Sequence, residues 1–165
     1  MIIGISGKYQ SGKDTIAEYL ITHYKFKRIA FADKLKDIAQ DLFFWNGEKD
    51  AYGRKLLQDI GMKMREVKDD VWVNYVLMTV NDKKFKHQNF VITDVRFLNE
   101  AQLVKLAGGE LWRINRDIIR DKSLSQHKSE TDLDAYTDFN CVIENDKTIN
   151  DLYEKVDKLL KGKEL

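Results

Sequence analysis

Hydrophobic positions along this chain change period several times, and each change marks an element. Ile2, Ile3 and Ile5 form a short apolar run without a polar face, the pattern of a strand buried on both sides. After a glycine-bearing segment, Ile16, Ala17, Leu20, Ile21 and Tyr24 recur at helical spacing. A second strand is expected over 28–32, with Asp33 placed to cap a helix whose inward positions are Leu35, Ile38, Ala39, Leu42 and Phe43. A turn from Trp45 to Gly53 leads to a helix with Leu56, Leu57, Ile60 and Met64 inward. Val71 to Val80 mixes strand-favouring residues with helical spacing at Trp72, Val73, Val76, Leu77 and Val80, and its length favours helix.

The second half continues the alternation. Phe90 to Asp94 is an apolar strand ending in a carboxylate, followed by a helix with Asn99 and Gln102 placed as a capping pair and Gly108-Gly109 as its stop. Glu110 to Ile114 and Cys141 to Ile143 give two more strands. Thr148 caps a closing helix that carries Ile149, Leu152, Tyr153, Val156, Leu159 and Leu160 on one face. Strands alternating with helices predict an α/β fold of three layers, a five-stranded, mostly parallel sheet with helices on both faces. Ligands of such sheets bind at the carboxyl ends of the strands.

Composition narrows the class. With no proline and nine glycines there is no linker, so residues 1–165 are expected to be a single domain. A chain of this size buries about 70% of its unfolded surface, enough for a core without staples. Cys141 has no partner for an intramolecular disulfide, which points to the cytoplasm. No apolar run approaches the roughly 20 residues of a membrane span. The amino terminus lacks a basic region and reads as a first strand instead of a signal peptide. A net charge of +1 argues against bulk nucleic-acid binding.

The segment between the first strand and the first helix carries the chemistry. Gly7-Lys8-Tyr9-Gln10-Ser11-Gly12-Lys13 fits G-x-x-x-x-G-K in the strand-loop-helix context which that motif requires. Glycines let backbone N–H groups turn around phosphate oxygens, the helix presents its positive end, and Lys13 reaches the outer phosphates. Asp14 stands where a Ser or Thr normally ligates Mg²⁺, with Thr15 next to it. Asp14 either holds Mg²⁺ through water or favours the first helical turn through the dipole. Asp94 reads as a carboxylate delivered to the phosphate side of the sheet, or as a strand-end turn former. Arg54, Gln58, Gly61 and Arg65 form one helical stripe, either a binding face or a solvated one. Arg113, Arg116 and Arg120 precede the polar segment 121–134, as a lid would, or as a charged loop with Arg–Asp pairs would. Trp72 and Tyr75 suit the core or a stacked base. His23, His87 and His127 lack metal-ligand spacing, and Lys83-Lys84-Phe85-Lys86 reads as a solvated turn.

These residues match a family. The run Gly7 to Asp14, Phe31-Ala32-Asp33-Lys34-Leu35-Lys36, the Gln58, Gly61 and Arg65 stripe with Trp72 after it, and Ile92 to Glu100 resemble the bacteriophage deoxynucleoside monophosphate kinases. Trp112 to Arg116, His127-Lys128-Ser129-Glu130 and Val142 to Asp146 extend the resemblance over nearly the whole chain, and Gly-Lys-Asp is a variant of this family and of the related phosphomevalonate kinases. The resemblance implies a P-loop kinase that moves the γ-phosphoryl group of ATP, with Mg²⁺, onto a deoxynucleoside 5′-monophosphate. Its partners would be small-molecule nucleotides, with a homodimer left open. Gly7, Lys8, Ser11, Gly12, Lys13, Asp14 and Thr15 would hold ATP, and Asp33, Lys36, Arg54, Gln58, Arg65, Trp72, Asp94 and Arg96 the acceptor. Lys13, Arg113, Arg116 and Arg120 would be catalytic, and Asp14 and Asp94 the metal candidates. The acceptor region would span about 33–81 and the lid about 115–134. Rival readings are another small-acceptor kinase, such as one for phosphomevalonate, and a nucleotide-binding module without transfer.

Overall fold

A computed structural model describes residues 1–116 and 128–163. The chain forms two compact units, Met1–Ile29 with His87–Leu165, and Ala30–Lys86. In chain order the elements are β1 (Ile2–Gly7), α1 (Lys13–Tyr24), β2 (Lys27–Ile29), α2 (Ala32–Phe43), α3 (Ala51–Val67), α4 (Val71–Val80), α5 (a 3-10 turn, Lys83–Phe85), β3 (Phe90–Ile92), α6 (Leu98–Leu106), β4 (Glu110–Asn115), α7 (Lys128–Thr131), β5 (Cys141–Glu144) and α8 (Ile149–Leu160).

The first unit is the α/β layer structure. Its five strands lie in the order β2-β3-β1-β4-β5, and every pairing is parallel. Parallel strands need crossover connections that cover the sheet, so β1 at the centre is buried from both faces. Ile3 and Ile5 point to one side, where Ile16, Ala17 and Leu20 of α1 and Leu152, Val156 and Leu160 of α8 join them in one core. Helix α6 covers the other side, with Val104 packed over β1 at Gly4. Because all strands run the same way, their carboxyl ends gather on one edge the loop after β1, Asp94 and Arg96 after β3, Arg113 and Arg116 at the end of β4, and the residues after β5. Among the described residues no helix is long and apolar enough to cross a membrane.

Several boundaries differ from the sequence pattern. The second strand ends at Ile29, and Ala32 already begins α2. Asp33 therefore sits inside the first turn, where its carboxylate accepts from the Ala30 N–H at 2.9 Å. Strand β3 stops at Ile92, two residues before Asp94. The residue that caps α6 is Glu100, not the Asn99 and Gln102 pair. Its carboxylate accepts from the N–H groups of Arg96 (2.8 Å) and Phe97 (3.1 Å) while only 1% exposed. A carboxylate reaches back over one turn to two orphan donors, and its charge makes those bonds stronger than a neutral amide would. Thr148 caps α8 as expected, accepting from the Asp151 N–H, but Ile149 faces outward, 54% exposed.

The second unit, α2 to α5, departs furthest. Val71–Val80 is helical, but α3 is turned from the expected orientation. Its buried positions are Gly53 and Gly61, while Leu56, Ile60, Met64 and Val67 line an open apolar groove with Phe43 and Val71. Helix α3 approaches α2 so closely that a Cβ at Gly61 would lie 3.3 Å from Leu35 Cδ2. The glycine in the arginine stripe thus serves packing within the unit. Leu42 and Phe43, inward by periodicity, are 70% and 47% exposed.

Removal of the Glu100 carboxylate leaves two N–H groups at the start of α6 without this acceptor. Glu100→Ala is expected to cost about 1–3 kcal/mol of stability, read from the urea midpoint; an unchanged midpoint would show that the cap is not needed.

Candidate active site

The loop from Gly7 to Gly12 is short and wound tightly. Gly7, Gln10 and Gly12 all have positive φ, and the Ser11 N–H donates to the Lys8 carbonyl at 3.1 Å. Helix α1 begins at Lys13 with Asp14 in its first turn, so its amino-terminal N–H groups open onto the loop. Lys13 is only 8% exposed, and its ammonium donates to the Lys8 carbonyl at 2.6 Å. Burial is the first cause that pushes its pKa from 10.5 down to about 8; Arg96 and, more weakly, Arg113 lower it too, while Glu130 and Asp14 push it back up. Four cations, Lys8, Lys13, Arg96 and Arg113, are therefore collected at the carboxyl edge of β1, β3 and β4.

Two carboxylates neutralise this cluster. Glu130 pairs with the Arg96 guanidinium, and its other oxygen accepts from the Tyr9 N–H of the loop at 3.0 Å. Asp134 accepts from Lys8 at 2.7 Å and from Arg113 at 3.2 Å. Arg113 also donates to Ser6 Oγ at 3.2 Å, and its guanidinium lies 5.7 Å from the Phe139 ring centre. These carboxylates occupy the sort of position an anion takes, accepting from loop amide and arginine together. The Arg113–Asp134 pair realises the charged-loop alternative for that arginine. Arg116 is exposed; Arg120 and the part of the expected lid over 117–127 lie outside the described residues.

Of the remaining expected residues, Ser11 is buried and Thr15 half-buried, while Asp14 is exposed beside Lys13. Asp94 is half-buried just past β3. Among the described residues no three His, Cys, Asp or Glu side chains form a metal cage. Asp14 and Asp94 carry carboxylate oxygens, the hard donor type that Mg²⁺ takes.

In the second unit, Asp33 and Lys36 form an ion pair at 3.6 Å on α2. Arg65 of α3 and the Trp72 indole of α4 both donate to the Gly61 carbonyl at 3.3 Å. Trp72 is 3% exposed, as its core alternative requires. Arg54 is half-buried and Gln58 exposed on α3. Glu130 and Asn145 fall in segments of the family resemblance without an expected role, and Ser6 and Asp134 have none either. Glu130 and Asp134 lie in the polar run after the arginines, whose Arg–Asp reading was the available signal. Cys141 is half-buried and its thiol is pushed up to about 12, by burial first and then by Glu110, so it is no nucleophile at neutral pH.

The Lys13 shift has a sign that can be tested. Between pH 8 and 10.5 the unfolded chain keeps this proton while the folded chain has lost it, so the lysine's contribution to stability rises with pH across that window. Relative to Lys13→Met, the parent is expected to gain about 1–3 kcal/mol from pH 7 to pH 10, measured by urea unfolding at each pH; a difference independent of pH would contradict the buried ammonium.

Comparison with known proteins agrees with this geometry. Residues 38–156 match the family described as Deoxynucleotide monophosphate kinase. A protein of Acanthamoeba polyphaga mimivirus, named "Putative deoxynucleotide monophosphate kinase", is 32% identical, with 94% of each chain covered. Among solved structures, a shikimate kinase from Aquifex aeolicus has a TM-score of 0.52 at 15% identity, over 98% of this chain and 97% of its own. A sugar kinase from Janibacter sp. HTCC2649 has a TM-score of 0.59 at 15% identity, over 97% and 94%. Those two similarities concern the α/β fold alone. With the phosphate loop, its buried lysine and the sequence match together, the chain belongs to the deoxynucleotide monophosphate kinase family.

Proposed function

We propose that this deoxynucleotide monophosphate kinase transfers the γ-phosphoryl group of ATP to a deoxynucleoside 5′-monophosphate through the loop Gly7–Lys13, with Lys13, Arg96 and Arg113 as its charge-neutralising groups. The observation that carries this reading is the buried Lys13 ammonium on the Lys8 carbonyl, with two arginines near enough to depress its pKa. A cluster of that charge density is costly without an anion, and Glu130 and Asp134 meet that need while nucleotide is away. The phosphates of ATP would take over these contacts.

Transfer needs positioning more than proton chemistry. An acceptor phosphate oxygen attacks the γ-phosphorus in line, the new O–P bond forms as the bond to the ADP oxygen breaks, and negative charge spreads over the transferring group. The acceptor phosphate is already ionised, so no base has to remove a proton; this agrees with the absence of a poised histidine near the loop among the described residues. Lys13 would follow the β- and γ-phosphates, and Arg96 and Arg113 would neutralise the transferring oxygens. Arg116 and Arg120 are proposed to join them as lid residues. Asp14 and Asp94 would hold Mg²⁺, which when bound contributes Lewis-acid neutralisation of the phosphates. On the second unit, Asp33, Lys36, Arg54, Gln58 and Arg65 are the proposed acceptor contacts, carried by the family resemblance. Trp72, with its indole committed to Gly61, would support Arg65 by packing.

The reading predicts ADP release that depends on an acceptor. With ATP and Mg²⁺, one or more of the four deoxynucleoside monophosphates should raise turnover well above the rate without acceptor and yield the diphosphate. Lys13→Ala should lower that turnover by about 10²–10³ with a native circular dichroism spectrum. ATP binding with only background hydrolysis for every acceptor would favour the non-transferring module instead.

A further inference from the structure

We infer that Asn145 is a positioning residue that holds the Ser11–Gly12 peptide of the phosphate loop in its anion-binding orientation. This inference rests on the phosphate-loop reading and adds a residue to it. Asn145 follows β5, far in sequence from the loop, yet its Nδ2 donates to the Ser11 carbonyl at 2.9 Å. Across a planar trans peptide the carbonyl and the next N–H point in opposite directions. Pinning the Ser11 oxygen toward Asn145 therefore fixes the Gly12 N–H on the side away from Asn145, free to serve an anion. If that peptide turned over, a carbonyl oxygen would replace an N–H donor, a change from attraction to repulsion for a phosphate.

The surroundings support a built contact. The Asn145 N–H donates to the Asn115 carbonyl at 2.7 Å, and its two neighbours are held as well: Asn115 Nδ2 donates to Glu144 Oε1 at 2.9 Å, and Lys155 of α8 donates to the Glu144 carbonyl and, at 3.2 Å, to Asp146. The fit to the loop is tight. A Cβ at Gly12 would lie 2.4 Å from Asn145 Nδ2, so Gly12 is required both by its φ of 102° and by the amide laid against it. Ser11, whose carbonyl is held, is 1% exposed, and its hydroxyl has no partner among the described residues. The held residue thus carries a further polar group within the loop.

The role is separable from base recognition and from plain stability by the choice of probe. Calorimetric affinities for ATP and for inorganic tripolyphosphate, which has phosphates but no base or sugar, would be compared in the parent, Asn145→Ser and the near-isosteric Asn145→Asp, with melting temperatures alongside. The inference predicts that Asn145→Asp weakens both ligands by a similar factor, about tenfold or more, as expected for one lost hydrogen bond and a misplaced carboxylate. Asn145→Ser should lie between it and the parent. Loss of ATP affinity with tripolyphosphate unchanged would assign Asn145 to the base or sugar and overturn the inference. A lower melting temperature with both affinities intact would overturn it as well, leaving only a structural contact. Failure of the parent itself to bind tripolyphosphate would remove the phosphate-loop reading and this inference with it.

Discussion

A lysine ammonium withdrawn from water at the turn from β1 into α1 is the constraint on which the site depends. An isolated buried ammonium is expensive, and burial pushes Lys13 down to about 8. The surroundings answer with oxygen: the Lys8 carbonyl directly, and the carboxylates of Glu130 and Asp14 at longer range. Arg96 and Arg113 make the problem worse, because they add like charge to the same place. A polyphosphate would supply more charge at this place than the Glu130 and Asp134 carboxylates that pair with the cations there.

The sheet makes this concentration of charge possible. Lys8 and Lys13 follow β1, Arg96 follows β3 and Arg113 ends β4, and parallel strands deliver all three of those ends to one edge. Rigid placement matters because the arginines repel one another and Lys13. Glu100 fixes the backbone at Arg96 through two hydrogen bonds, Ser6 receives Arg113 from the neighbouring strand, and Asn145 touches the loop from β5. Core packing of Ile3 and Ile5 between helices is thereby linked to the geometry of the phosphate loop a few residues on.

Local features were legible in the sequence and long-range ones were not. The phosphate loop is a contiguous spacing of glycines and lysine, flanked by patterns that can be read on their own, and helix α4 follows from its length. The turn of α3 departs from the sequence pattern because periodicity identifies an apolar face without saying whether a partner covers it; Leu56, Ile60 and Met64 are apolar and yet line an open groove, while Gly53 and Gly61 lie against neighbours. Glu100 is masked in the sequence by Asn99 and Gln102, which resemble a capping pair at the same place. Glu130, Asp134 and Asn145 reach the loop across more than 120 residues, and no local pattern announces such contacts. The family resemblance included the segments that hold Glu130 and Asn145 without assigning them a task, and Asp134 lies outside those segments.

The central claim is that the buried Lys13 ammonium is the group a nucleotide's phosphates meet. Its titration, followed by nuclear magnetic resonance of the isotopically labelled lysine side chain with and without ADP, tests that most directly. The account predicts a midpoint near 8 in the free protein, rising by more than one unit when ADP binds, because phosphate charge favours the protonated form. A midpoint that stays in place while ADP is bound would place the phosphates elsewhere and contradict the account.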